Sequence, residues 1–175
     1  MTVFVAGIHG VGKTYLCESF SKSTGVKHRS ASSLIRAERE HADWGVNKFT
    51  RGIDENQSAL IAAVRRCLSD SPYLLLDGHF VLKDSQGNLV RLATDIFESL
   101  SITAVILVEN SHETIAARLA ARDGTLHPGD INASMLAERQ QANIICGILG
   151  IPLIQLTAPT LEEFNHIAAP LFREY

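Results

Sequence analysis

The sequence predicts an α/β fold of three layers, a parallel sheet of about five strands between two layers of helices. Three observations carry this. The glycine-rich stretch Gly7-Ile8-His9-Gly10-Val11-Gly12-Lys13-Thr14 follows the short apolar run Thr2-Val3-Phe4-Val5-Ala6 and leads into a helical pattern. Short apolar runs then alternate with segments of helical periodicity, joined by short connections. One such run, Ile102 to Val108, is apolar throughout, as a strand buried on both faces requires.

The glycine-rich stretch has the form of a phosphate-binding loop. Gly7, Gly10 and Gly12 let the backbone turn its N–H groups inward, with those of His9 and Val11 in the same cradle. Lys13 brings a positive charge to the β- and γ-phosphates, Thr14 offers a hydroxyl to Mg²⁺, and the helix behind adds its N-terminal partial charge. A nucleoside triphosphate is the expected ligand. His9 contributes its main-chain N–H to this cradle.

Composition bounds the rest. With 175 residues, 46% hydrophobic and 20% charged, residues 1–175 fit one domain with a sizeable core. A net charge of −3 argues against a general nucleic-acid binder. Cys17, Cys67 and Cys146 lie far apart on helical apolar stripes and read as buried small hydrophobes of a reducing compartment. The longest apolar run, about seven residues, is too short to span a membrane, and a strand begins almost at the first methionine. A cytoplasmic location is expected.

Taken in order, a first helix runs from Lys13 to Ser23 and stops at Gly25. A weak strand covers Val26 to Ser30, and Ser32 or Ser33 caps a second helix with Leu34, Ile35 and Ala37. Glu38 to Gly52 is polar and irregular, with Trp44 and Phe49 isolated, and reads as part of a mobile acceptor-side flap over residues 31–70. Asp54 and Gln57 form a capping-box start. The helix behind it places Leu60, Ile61, Val64, Cys67 and Leu68 on one face.

Tyr73 to Leu76 is an apolar strand ending in Asp77-Gly78-His79, where a carboxylate can help hold Mg²⁺. A loop with Lys83, Gln86 and Gly87 leads to a helix near Leu92 to Leu100. After the strand Ile102–Val108, Asn110 and Glu113 open a helix on which Arg118 and Arg122 border the apolar face. Residues 123–130 read as a short lid loop. Ile131 to Leu149 is a long helix with the stripe Ile131, Met135, Ala142, Cys146 and Leu149. Arg139 interrupts that stripe and needs either a structural carboxylate or an anionic ligand. Gly150 ends this helix, Pro152 to Leu156 is the last strand, and Thr160 with Glu163 caps a terminal helix.

With these elements in place, the chain resembles the nucleoside monophosphate kinases of the phosphate-binding-loop group, and within them the archaeal-type adenylate kinases. The likeness rests on Asp77, His79, Lys83, Gly87 and Leu89, and on Glu138, Gln140 and Asn143 of the long helix. The resemblance implies sheet order 2-3-1-4-5, Mg-ATP as donor and a nucleoside monophosphate, AMP first, as acceptor. It implies that Ser33 and Arg36 face the acceptor; His79, beside Asp77, and Asp77 itself are read as facing it too, and Thr14 and Asp77 as serving the metal. Lys13, Arg118, Arg122 and Arg139 become candidate clamps on the transferred phosphoryl group. The chain departs from the family in its lid, Gly124 to Gly129, which has no arginine, and in Ile144, where the family has arginine after its Asn. Two alternatives stay open: a kinase of the same fold acting on a small-metabolite hydroxyl, with Asp77 as base, and a nucleotide-dependent switch that transfers phosphate only to water.

Overall fold

The computed structural model describes residues 1–41, 53–84, 86–123 and 128–172, without the side chains at 40–41, 53–54, 122–123 and 128–130. The centre of the expected flap (42–52, with Trp44 and Phe49) and of the expected lid (124–127) lies outside the described residues. The first half of the chain runs β1 (Thr2–Ala6), α1 (Lys13–Thr24), β2 (Lys27–Ser30), α2 (Ala31–His41), α3 (Ile53–Asp70) and β3 (Leu74–Asp77). It continues with β4 (Val81–Lys83), β5 (Leu89–Arg91), α4 (Thr94–Ser99), β6 (Ile102–Glu109), α5 (His112–Asp123) and α6 (Pro128–Leu149). β7 (Leu153–Thr157), α7 (Leu161–Ala168) and a 3₁₀ turn at Ala169–Phe172 complete it.

Five strands form one parallel sheet in the order β2-β3-β1-β6-β7. Counted among sheet strands alone this is 2-3-1-4-5, since β4 and β5 pair only with each other, antiparallel. Side chains alternate across each strand and so feed two cores. Phe4, Ala6, Leu74, Leu76, Val105 and Leu107 meet α2, α3, α4 and α6 on one face. Val3, Val5, Leu75, Ile106 and Val108 meet α1, α5 and α7 on the other. Cys17, Cys67 and Cys146 are all buried and unbridged, as small core hydrophobes.

Several boundaries move. The N-cap of α2 is Ser30, not Ser32 or Ser33: its Oγ accepts the Ser33 N–H at 3.2 Å, because the chain turns directly from β2 into the helix. α2 continues through His41, so Glu38 to His41 are helical and not irregular. α3 is already under way at Asp54, and Gln57 is a buried residue of its inner face. α6 begins at Pro128, three residues before the expected start, with proline suited to a first helical position. The hairpin β4–β5 stands where a loop was expected, its turn tied by Asp84, whose Oδ1 accepts the N–H groups of Gln86 and Asn88, each at 2.8 Å.

Candidate functional site

The loop between β1 and α1 is shaped by the absence of side chains. Gly7 has φ 142°, and a Cβ there would lie 2.3 Å from Val108 O, a backbone atom that cannot give way. Gly12, at φ 106°, delivers the chain into α1, whose N-terminus has no side-chain cap. The first-turn N–H groups are thereby left for an anion.

Lys13 bends back over this loop. Its Nζ donates to Gly7 O at 2.5 Å and to Ile8 O at 3.2 Å, and lies 3.4 Å from His79 Nε2. Burial lowers the Lys13 pKa from its ordinary value, while the Asp77 and Glu138 carboxylates oppose that. His79 is driven down to about 2, by burial first and then by Lys13 and His9. It is therefore a neutral imidazole at pH 7, and as the acceptor from Lys13 its Nε2 carries no proton. The rings of His9 and His79 lie 4.3 Å apart.

Glu138 is a central residue that the reading of the stripe misses as a site residue. Its Oε1 accepts the N–H groups of Gly7 (3.2 Å) and Phe80 (2.8 Å), and its Oε2 accepts that of Val81 (2.8 Å). One carboxylate thus ties the start of the phosphate loop to the chain leaving β3. Burial pushes its pKa above the ordinary range, opposed by the Phe80 and Val81 N–H groups. The available signal is spacing: Glu138 falls seven residues after Ile131 and four before Ala142, squarely on the buried face. Arg139 does not interrupt that stripe. One residue on, about 100° round the helix, it lies on the exposed side. There it forms a bidentate pair with Glu109 at the end of β6, with its Nε and Nη2 2.8 and 2.9 Å from the carboxylate oxygens.

Register sets Asp77. It pairs with Val5 on one side and Ser30 on the other, so its carboxylate stands beside the phosphate loop at the carboxyl end of the sheet. Its Oδ2 lies 2.7 Å from His28 Nε2, with side chains 7% and 10% exposed. His28 carries no sequence motif, and only strand pairing brings it here.

Two recesses meet at this point. One, of about 340 Å³, is lined by the phosphate loop, including Lys13 and Thr14, with Ser30, Asp77 and His79. The other, of about 180 Å³, is walled largely by apolar side chains, among them Phe4, Leu60, Leu82 and Phe97, with Gln57 also lining it. His9, Ser32, Asp77 and His79 border both. Gln57 is 5% exposed, and its Oε1 has no hydrogen-bond partner among the described residues. Thr14 and Asp77 line the same recess, and a hydroxyl with a carboxylate is a donor set that Mg²⁺ accepts.

The remaining candidates are placed as follows. Arg118 Nη1 donates to Gly10 O (3.0 Å) and Val11 O (2.9 Å), bracing the loop from α5. The Arg122 side chain lies outside the described residues. Ser33 bonds back to Ser30 O at 2.8 Å and is exposed. Arg36 lines a third, more open recess with Arg39 and Asn56, which shares Ser32 and Ile35 with the apolar one. No helix among the described residues is long and apolar enough to cross a membrane.

Fold and loop together define a phosphate-binding-loop domain with the architecture of P-loop kinases. The chain belongs to the family described as AAA domain (AAA_17), which matches residues 6–134. Solved structures of similar fold include a shikimate kinase from Acinetobacter baumannii in complex with shikimate (TM-score 0.62, 11% identity, 97% of this chain and 91% of that one). A gluconokinase from Sinorhizobium meliloti 1021 is similar at TM-score 0.56 and 16% identity, covering 97% and 92%. A sugar kinase from Janibacter sp. HTCC2649 follows at 0.52 and 17%, also covering 97% and 92%. No curated protein matches the chain in sequence.

Proposed function

We propose that the protein is an ATP-dependent kinase that phosphorylates a hydroxyl of a small metabolite. The observation that carries this reading is the pair of recesses sharing Asp77 and His79, one bordered by the phosphate loop and Lys13 and one walled largely by apolar side chains, which suits a compact organic acceptor. In the proposed reaction the acceptor oxygen attacks the γ-phosphorus, the bond to the β–γ bridging oxygen breaks, and ADP leaves. Asp77 takes the proton released by the hydroxyl. Lys13 exchanges its bonds to Gly7 O and Ile8 O for bonds to phosphate oxygens, and Arg118 holds the loop rigid while adding charge at its mouth. Thr14 and Asp77 would hold Mg²⁺, which supplies charge neutralisation at the phosphates.

A small-metabolite acceptor is supported by the similarity in fold to kinases named for shikimate and gluconate. A nucleoside monophosphate is the second reading. It is favoured by the apolar walls and the unpaired Gln57 amide oxygen, which suit the edge of a flat base. Arg36, Arg39 and Ser32 would then serve the acceptor phosphate. Incubation with Mg-ATP and a panel of sugar acids, cyclic polyols and nucleoside monophosphates, following ADP, separates the readings. A monophosphate-stimulated rate replaces the first by the second. Hydrolysis indifferent to every acceptor removes both and leaves an ATPase switch.

A further inference from the structure

Two side chains beside Asp77 have no part in that transfer chemistry. Cys17 reaches in from α1 and His28 from β2, and they meet Asp77 of β3 on the sheet face that α1 covers. We propose that Cys17, His28 and Asp77 form a binding site for a zinc-like divalent cation, and that its occupancy withdraws Asp77 from the acceptor.

The geometry is that of a site needing only small adjustments. One sulfur, one ring nitrogen and one carboxylate oxygen all lie within 4.8 Å of one another. A tetrahedral ion with bonds of ~2.0–2.3 Å sets a nitrogen and an oxygen roughly 3.3 Å apart and a sulfur roughly 3.5–3.7 Å from each, so the His28–Asp77 pair, now 2.7 Å, opens by about 0.6 Å and the sulfur closes by at most about 1.3 Å. Three different elements supply the ligands, each anchored in packed core: Cys17 is fully buried, and His28 and Asp77 nearly so. A sulfur–nitrogen–oxygen set selects zinc and its neighbours over Mg²⁺, which takes oxygen ligands. Thiolate and carboxylate together balance a double positive charge, which matters with the Lys13 ammonium close by. The Cys17 Sγ–H proton passes to solvent as the sulfur–metal bond forms.

Of the three, only Asp77 lines the two recesses, so the ion enters past Asp77 and holds its carboxylate when bound. The site stands on these contacts alone. Its inhibitory consequence rests on the kinase reading above.

The test uses the full chain, stripped of metal and titrated with Co²⁺ and then Zn²⁺. Thiolate-to-cobalt absorption saturating at one equivalent and displaced by Zn²⁺ is the expected result. Cys17→Ser and His28→Gln should each weaken Zn²⁺ binding by more than the roughly 10–100-fold that loss of an outer partner costs. Cys67→Ser and Cys146→Ser should change nothing. Melting curves establish that each variant folds, and if Cys17→Ser does not, Cys17→Ala and His28→Gln decide. Absence of the thiolate band, or its survival in Cys17→Ser, overturns the site. Zinc binding that leaves ATP turnover intact overturns the withdrawal of Asp77. If no acceptor ever supports turnover, the kinase reading fails while the cobalt result stands.

Discussion

Glu138 and His79 show how single side chains govern this site. Glu138 accepts three N–H groups that no other described side chain satisfies, and glutamine in its place presents an N–H₂ to at least one of them. Glu138→Gln should cost about 1–3 kcal/mol in unfolding free energy and lower turnover by loosening Gly7. Urea titration and steady-state rates check both, and an unchanged midpoint would deny the carboxylate its bridging role. His79 gives a pH signature. Its pKa is about 2 when folded against an ordinary 6.5, so the fold prefers the neutral ring. The stability it contributes is complete above pH 6.5 and is lost progressively as pH falls toward 2. Wild type should lose more stability between pH 7 and pH 5 than His79→Gln does, measured by urea unfolding at each pH.

At the scale of elements, local signals are strong where the chain closes its own hydrogen bonds. The terminal helix α7 starts at Thr160 with both halves of a capping box: the Glu163 N–H donates to Thr160 Oγ1 at 3.1 Å and the Thr160 N–H to Glu163 Oε2 at 2.8 Å. Both halves are readable from the spacing of the two residues. Thr160→Ala should cost about 1 kcal/mol by thermal unfolding with little change in turnover, because α7 packs Phe164 against Phe20, about two helical turns along α1 from Lys13. Signals are weak where an element is short or polar. The three-residue strands β4 and β5 have no periodicity long enough to detect, and β2, Lys-His-Arg-Ser, has no apolar residue at all. Helix α6 lies between these cases. Its stripe is legible, but which of two adjacent charges faces inward depends on the helix rotation that packing sets, and Glu138 takes the inner place while Arg139 meets Glu109.

At the scale of the molecule, ligand binding and folding are linked. A ligand that binds only the folded chain at 100 times its Kd adds about 2.7 kcal/mol of stability. Mg-ATP should therefore raise the melting temperature, and Lys13→Ala should abolish the rise while the ligand-free protein still melts cooperatively. An equal rise in the variant would remove Lys13 from nucleotide binding. The sequence by itself determined the parallel sheet, the phosphate loop, Asp77 at a strand end and the capping box of α7, because each is encoded within a few neighbouring residues as a period, a glycine or a hydrogen-bonding pair. Only the tertiary structure decided that His28 meets Asp77, that Cys17 lies beside both, that Glu138 binds the loop and that Gln57 lines the second recess. Those residues are 49, 60, 131 and many other positions apart in the chain from what they touch, and strand register and helix rotation, which bring them together, are fixed by burying the whole core at once.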